Sequence, residues 1–303
     1  MSRSKRIIIQ AIVIFLLTSL IGILINNLTI NLLRTDLGFN FSWLLRPASF
    51  ALAEHVLPYS PSDSYAWALF IGWLNSLKVI FISLIFSTIL GTFIGINTTG
   101  KNRFLRIICK IYTTLIRQTP LLLQLMFWYF MGFLGLKNNT FIFSNLFRIN
   151  NQGIEFLGIY LSSEFTALIF GLSIFTSAYI SEVIRGGIIS VPKGQWEAFR
   201  SLGLSEKSGI IKVIFPQALP AIIPGLTSQY LNLAKNSTLA IAIGYSDIYA
   251  INDTIINQTG RAIECFIILL SSFLFLNLII SNLMEMINKI INNKFNKIKS
   301  KII

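Results

Sequence analysis

The residues Gly95-Ile-Asn-Thr-Thr-Gly100-Lys101-Asn102 complete the pattern G-x-x-x-x-G-K, which elsewhere holds a nucleotide. In such a loop, backbone N–H groups cradle the phosphates, the lysine reaches their oxygens, and a following Ser or Thr ligates Mg²⁺. Here Asn102 occupies the metal-ligating place, and the segment ends an apolar run instead of following a strand. It reads as a glycine-ended helix meeting a basic loop. Other catalytic material is sparse. His55 is the single histidine, and Cys109 and Cys265 lie far apart in or beside apolar runs. That gives no disulfide framework and no zinc spacing. Scattered acids do not assemble the cluster that a membrane-embedded enzyme needs. No metal or cofactor is implied, and catalysis is not expected of this chain.

Ionisable and amide residues inside apolar runs are the remaining candidates, because a membrane tolerates them mainly for function. Glu182 and Arg185 stand one turn apart. A mutual ion pair at the interface is the simpler reading, and a place on a substrate path is the other. Lys235, with Asn232, Asn236, Ser237 and Thr238, interrupts an apolar run. A broken helix at membrane depth is tolerated where it lines a cavity. Such groups suit the carboxylate and ammonium of an amino acid, and a helix end at the outer surface is the competing reading. Gln118 and Gln124 are weaker candidates of the same kind.

The elements that must position these groups follow from composition. The 303 residues are 54% hydrophobic and 12% charged, with mean hydropathy +0.70. Soluble domains carry about 25% charged residues, and several runs here approach the roughly 20 apolar residues of a bilayer span. The fold class is therefore all-α and polytopic. The apolar runs are Ile7–Leu33, a run from Tyr65 to about Ile96, Leu121–Leu136, Phe165–Ile184, a run from Pro216 broken between Gln229 and Thr238, and Ala262–Ile287. The run after the basic start is too long for a signal peptide and has no small-residue cleavage site. Trp67 and Trp73 suit an interface, and Lys78 is placed to snorkel. Residues 137–163 read as a loose, mixed stretch. Gly91 and Gly95 form a GxxxG pair suited to close helix approach. The sequon Asn138-Asn139-Thr140 carries no weight in an Asn-rich chain.

The net charge of +13 is explained by sidedness, without nucleic acid. Alternate loops carry eighteen Lys and Arg on one side, Arg117 among them, against five on the other. The positive-inside bias then calls for six spans with both termini cytosolic. Two basic loops flank the short run Leu121–Leu136, so parity requires it to span.

One cytosolic segment, Val191 to Gly225, is ordered by its own local signals. Pro192 opens a helix. Trp196, Phe199 and Leu202 recur on one face. Gly203 ends it in a left-handed cap, and Ser205 caps a second helix with Glu206 in its first turn. Pro216 stops that helix or begins the next. An amphipathic pair resting on the bilayer explains the face alone. A docking surface for a soluble partner also explains the hinge.

This segment resembles the EAA signature of ABC-importer permeases: E-A-A, three residues, Gly, nine residues, then I-x-L-P. Those places hold Glu197, Ala198, Phe199, Gly203, Val213, Phe215 and Pro216. Phe199 replaces the third Ala, a change bearing on the partner surface. The phrases SAYISEVIRGGIISVPKGQWEAFRSLGLS and KNSTLAIAIGYSDI are similar to the polar amino-acid (HisM-like) branch. PYSPSDSY, GWLNSLKV and RQTPLLLQLMFWYF are similar to its general L-amino-acid permease group. The resemblance implies a type I ABC importer permease in the bacterial inner membrane. Residues 1–63 would hold a first helix and a periplasmic segment, and 64–290 the permease core with its coupling loop at 185–216. Residues 291–303 form a basic tail. It also implies that Gln195, Trp196, Glu197, Ala198, Phe199, Arg200, Gly203 and Pro216 meet a separate ABC ATPase subunit. A periplasmic or tethered amino-acid-binding protein and a second permease, sibling or self, complete the expected partners, with membrane lipid around them. The reading from another class is a self-sufficient secondary transporter or channel, for which no inverted repeat is visible.

Overall fold

The computed structural model describes residues 3–34, 39–136, 141–144 and 147–299. The sequon at 138–140 lies outside the described residues. Five helices are long and apolar enough to cross a membrane, or six if one bent pair counts as a span. Helix α1 (Arg3–Arg34) is apolar all round, and the chain buries none of its span. The core is built from α2 (Tyr65–Thr99), α5 (Ser163–Ile189), α8 (Phe215–Asn236) and α10 (Ala262–Lys299).

The α2–α5 seam is closed by the GxxxG pair. A Cβ on Gly91 would stand 2.6 Å from Ile180 Cγ2, and one on Gly95 would stand 2.6 Å from Ile184 Cβ. The absence of side chains there is what lets the two helices touch. Ile180, Ile184, Ile188, Ile214, Ala218 and Ile222 continue this core toward the inner end.

The third apolar run is not a straight span. Helix α3 (Arg103–Gln118) meets the segment Leu121–Leu136 at 105°. That segment opens as α4 (Leu121–Met126) and widens into a π-helix over Phe127–Phe133. Thr119 ends α3 and Pro120 caps α4. The stretch after it is structured too. Strands β1 (Phe141–Ser144), β2 (Phe147–Asn150), β3 (Gly153–Phe156) and β4 (Ile159–Ser162) form an antiparallel meander. Its last hairpin turns on Leu157 and Gly158, both at positive φ, as a two-residue turn on a right-twisted ribbon demands.

The helix beginning in the cytosolic segment is also more continuous than expected. Helix α7 (Glu206–Gly209) passes through a π-turn at Ile210–Ile214 straight into α8. Pro216 lies in the first turn of α8, the helix start that the sequence offers for it, and the π-turn before it joins that start to α7 without a gap. The chain stays α-helical through Gln229–Asn236. It tightens to a 3-10 helix only at Ser237–Ile243 and ends at left-handed Gly244.

At the opposite end, α9 (Ile248–Thr259) is capped by Asp247, whose Oδ1 accepts from Ala250 N at 2.8 Å. Burial pushes the Asp247 carboxyl up to about 7, against the pull of the backbone N–H groups of Ala250 and Tyr249. The segment before α2 straps onto this end. Trp43 is buried beneath it, and Glu54 takes Lys78 Nζ at 2.9 Å and Ser162 Oγ at 2.6 Å. Lys78 does not snorkel freely. It is paired, and it lies 3.9 Å over the Phe165 ring.

Candidate functional site

Two regions carry the candidate residues. The first is the knuckle formed by α6 (Lys193–Ser201) and α7. Gly203 takes φ +70 between them, the left-handed hinge its sequence position requires, and nothing lies within 4 Å of where its Cβ would be. Ser205 Oγ accepts from Ser208 N at 3.3 Å and caps α7. Phe199 is 1% exposed, with its ring flat against Gly209, where a Cβ would strike Cδ2 and Cε2. The aromatic that replaces the third Ala of the signature thus faces inward and leaves the outer surface unchanged. Burying a Phe side chain stabilises by about 2–3 kcal/mol. Leu202 does not share its face: it lies past the helix end, 78% exposed.

Polar ties fix the knuckle to the spans. Glu206 Oε1 receives Arg200 Nε at 2.9 Å and Lys101 Nζ at 2.7 Å, which joins α6, α7 and the α2–α3 turn. Gln217 Nε2 donates to Gln195 Oε1 and to Val213 O, each at 3.0 Å. Gln195, Glu197, Ala198, Arg200 and Gly203 are exposed and Trp196 is half-buried. Pro216 is exposed one turn above, on α8. The near-phosphate loop is a helix corner, with Asn102 Oδ1 accepting from Leu105 N to cap α3.

The second region is a polar cleft of ≈ 370 Å³ between α5 and α8, lined by Phe175, Thr176, Tyr179, Gln229, Asn232 and Asn236. Asn232 and Asn236 therefore belong together, and Gln229, Thr176 and Tyr179 join them. Thr176 and Tyr179 are not sequence candidates because their partners are about fifty residues away; Gln229 is readable, since it stands at i, i+3, i+7 with Asn232 and Asn236 on α8. Ser237 and Thr238 do not enter: their hydroxyls donate back to Ala234 O and Lys235 O. Lys235 is exposed beside the cleft. Glu182 and Arg185 form the expected ion pair, with Arg185 Nη2 2.8 Å and Nε 3.0 Å from Glu182 Oε2. Gln118 is exposed at the α3–α4 corner.

Gln124 is the piece that builds that corner. Its Nε2 donates to Ile116 O at 3.0 Å, Thr119 O at 3.2 Å and Thr119 Oγ1 at 2.6 Å. These bonds satisfy backbone groups freed by the break, the condition for irregular chain at membrane depth. The corner carries Arg117 with it. The Arg117 guanidinium lies 5.2 Å from the Tyr179 ring centre. Tyr179 stands ten residues before the C-terminal end of α5, about 15 Å along the helix. Arg117 therefore lies against the wall of the cleft, on its exposed side.

A polytopic helical bundle with a hinged two-helix knuckle and a polar cleft between its spans defines an importer's membrane subunit. The chain belongs to the family of binding-protein-dependent transport system inner membrane components, whose profile matches residues 87–293. It has the type I ABC importer permease fold. Membrane subunits of this class work with an ATPase and a substrate-binding protein, and their own role is transport. The chain is 32% identical to YhdX of Escherichia coli (strain K12), provisionally named an amino-acid ABC transporter permease protein, over 92% of each chain. The alignment runs to 362 positions, longer than this whole chain, so the relative holds residues without counterparts here. It is 30% identical to the general L-amino acid transport system permease protein AapQ of Rhizobium johnstonii, over 94% of this chain and 91% of that one. Among solved structures, an amino acid ABC transporter crystallised with histidines aligns at 29% identity and TM-score 0.59. That match covers 74% of this chain and 94% of the other.

Proposed function

We propose that this chain is the permease subunit that carries amino acids across a bacterial cytoplasmic membrane, driven by ATP hydrolysis on a separate chain. The observation that carries the coupling role is the Phe199–Gly209 lock, which presents α6 as a rigid exposed helix on the basic side of the protein. Gln195, Glu197, Ala198, Arg200 and Gly203 form its contact surface for the ATPase, with Trp196 at the edge. Phe199 and Pro216 set the surface without being part of it. The cleft between α5 and α8 is the segment of the path that meets the substrate, through the amides of Asn232 and Asn236 and the hydroxyl of Tyr179. Both termini lie in the cytosol. Residues 64–290 are the transport core, and two such permeases, identical or sibling, enclose the path. Names of relatives and the histidine-bound structure support an amino-acid cargo.

The test is co-purification in mild detergent, with the wild type beside Gly203→Asp. Nothing lies within 4 Å of the Cβ position, but φ +70 strains any side chain there. Asp and Asn are among the residues that enter this region most readily, so Gly203→Asn beside it separates hinge strain from the added charge on the docking surface. The expected result is loss of the co-purifying ATPase and of ATP-dependent amino-acid uptake in vesicles. Unchanged partner and uptake would remove the coupling assignment. Uptake by the purified chain alone, without ATP, would replace it with a secondary transporter.

A further inference from the structure

Arg117 is a charged group beside the polar cleft that the coupling and substrate assignments leave without a role. Its position is fixed from two directions. Tyr112, five residues earlier on α3, donates from its hydroxyl to Ile174 O at 2.9 Å, with Ser177 Oγ 2.7 Å away, and pins α3 to the middle of α5. Gln124 then folds the chain back immediately after Gln118. Between these anchors the guanidinium rests on Tyr179, a wall of the polar cleft.

Among the described residues, Arg117 makes no ion pair with a carboxylate. The nearest acid along α5, Glu182, is occupied by Arg185. The cleft is walled by amides, hydroxyls and an aromatic ring, with no carboxylate among its lining residues. A second cation, Lys235, stands one turn beyond Asn232 on α8. The Arg117 side chain is exposed, and a charged group among membrane helices is a mark of ion and substrate paths. A fixed cation at the edge of a passage attracts anions and repels cations.

We propose that Arg117 is the charge-selecting residue of the pathway, favouring amino acids with acidic or neutral side chains and rejecting cationic ones. The proposal rests on the amino-acid transport reading above. Arg117 acts through its charge, so lysine substitutes for it and glutamine does not.

The experiment uses the complete transporter with wild type, Arg117→Gln and Arg117→Lys. ATP-dependent uptake of labelled glutamate, glutamine and arginine is measured in vesicles. Equilibrium binding of the same three to the purified permease–ATPase complex is measured without binding protein, which removes that protein's own preference. The wild type is expected to rank glutamate above arginine in binding. Arg117→Gln should lower the glutamate-to-arginine ratio about tenfold or more, as loss of one close charge implies, and Arg117→Lys should hold it within about twofold. A wild type that binds the three equally overturns the proposal. So does an Arg117→Gln variant in which all three fall together, because that is a positioning role or recognition of the common α-carboxylate. A wild type with no ATP-dependent uptake of any amino acid defeats the transport reading instead.

Discussion

The knuckle and the cleft are built by opposite strategies. The knuckle's defining contacts fall within about twenty residues: Phe199 on Gly209, Ser205 on Ser208, Gln195 on Gln217. The cleft is assembled from α5, α8 and the corner of a bent pair, segments fifty to a hundred residues apart. A surface that must fit a separate subunit is made rigid locally. A passage that must open and close is left between elements, where relative movement changes its shape. Substitutions should therefore separate the two, with knuckle variants losing coupling and cleft variants losing cargo.

The largest effect is expected at Gly209. A side chain there must displace the Phe199 ring, and overpacking of this kind costs about 1–3 kcal/mol or more. Gly209→Leu should abolish substrate-stimulated ATPase activity in the assembled transporter, while amino-acid binding to the cleft persists. Equal loss of both would erase the separation between the regions. Next is Gln124. Gln124→Leu takes the donor from Thr119 O and Thr119 Oγ1 and leaves Ile116 O only the 3.2 Å bond from Thr119 Oγ1, a net loss of about 0.5–1.5 kcal/mol for each hydrogen bond. Uptake should fall by more than tenfold with the ATPase still bound, read by vesicle assay beside co-purification. Gly95→Ala should cost about 1–3 kcal/mol by prising α2 from α5, seen as a lower unfolding midpoint in detergent with both functions weakened in parallel.

The smallest effect concerns neither region and serves as a control. The folded carboxyl of Asp247 has its pKa raised above the ordinary value. Stability from its protonated form is full below pH about 4 and is lost as pH rises through about 7. The thermal midpoint should drop modestly across that window. Asp247→Asn keeps a capping oxygen for Ala250 N and should flatten the dependence without changing coupling or cargo.

The difference in construction also decides what could be read in advance. Pro192, Gly203 and Ser205 each act on their own neighbours, so the hinge and both caps were visible in sequence. So was the Glu182–Arg185 pair, one turn apart. The inward turn of Phe199 was not, because Gly209 gives no apolar signal. The four strands at 141–162 hid in a stretch whose short runs lack a strong period. The corner next to the Arg117–Tyr179 contact depends on Gln124 reaching back eight residues, which no count of loop charges registers. Pro216 marked the start of α8, but the π-turn that joins α8 to α7 has no sequence signal of its own. Tyr179 carries no pattern until α5 and α8 are side by side, whereas Gln229 shares a helix face with Asn232 and Asn236 and was missed although that period is legible in sequence.

The Lys101–Glu206–Arg200 cluster has a mechanical consequence. A load applied to α6 by an outside subunit reaches α8 along the chain, through the π-turn. It also reaches the α2–α3 turn across Glu206, through bonds of 2.7 and 2.9 Å. The two routes run in parallel, one covalent and one through side chains at the surface, so the ion pairs add to the continuous helix without replacing it.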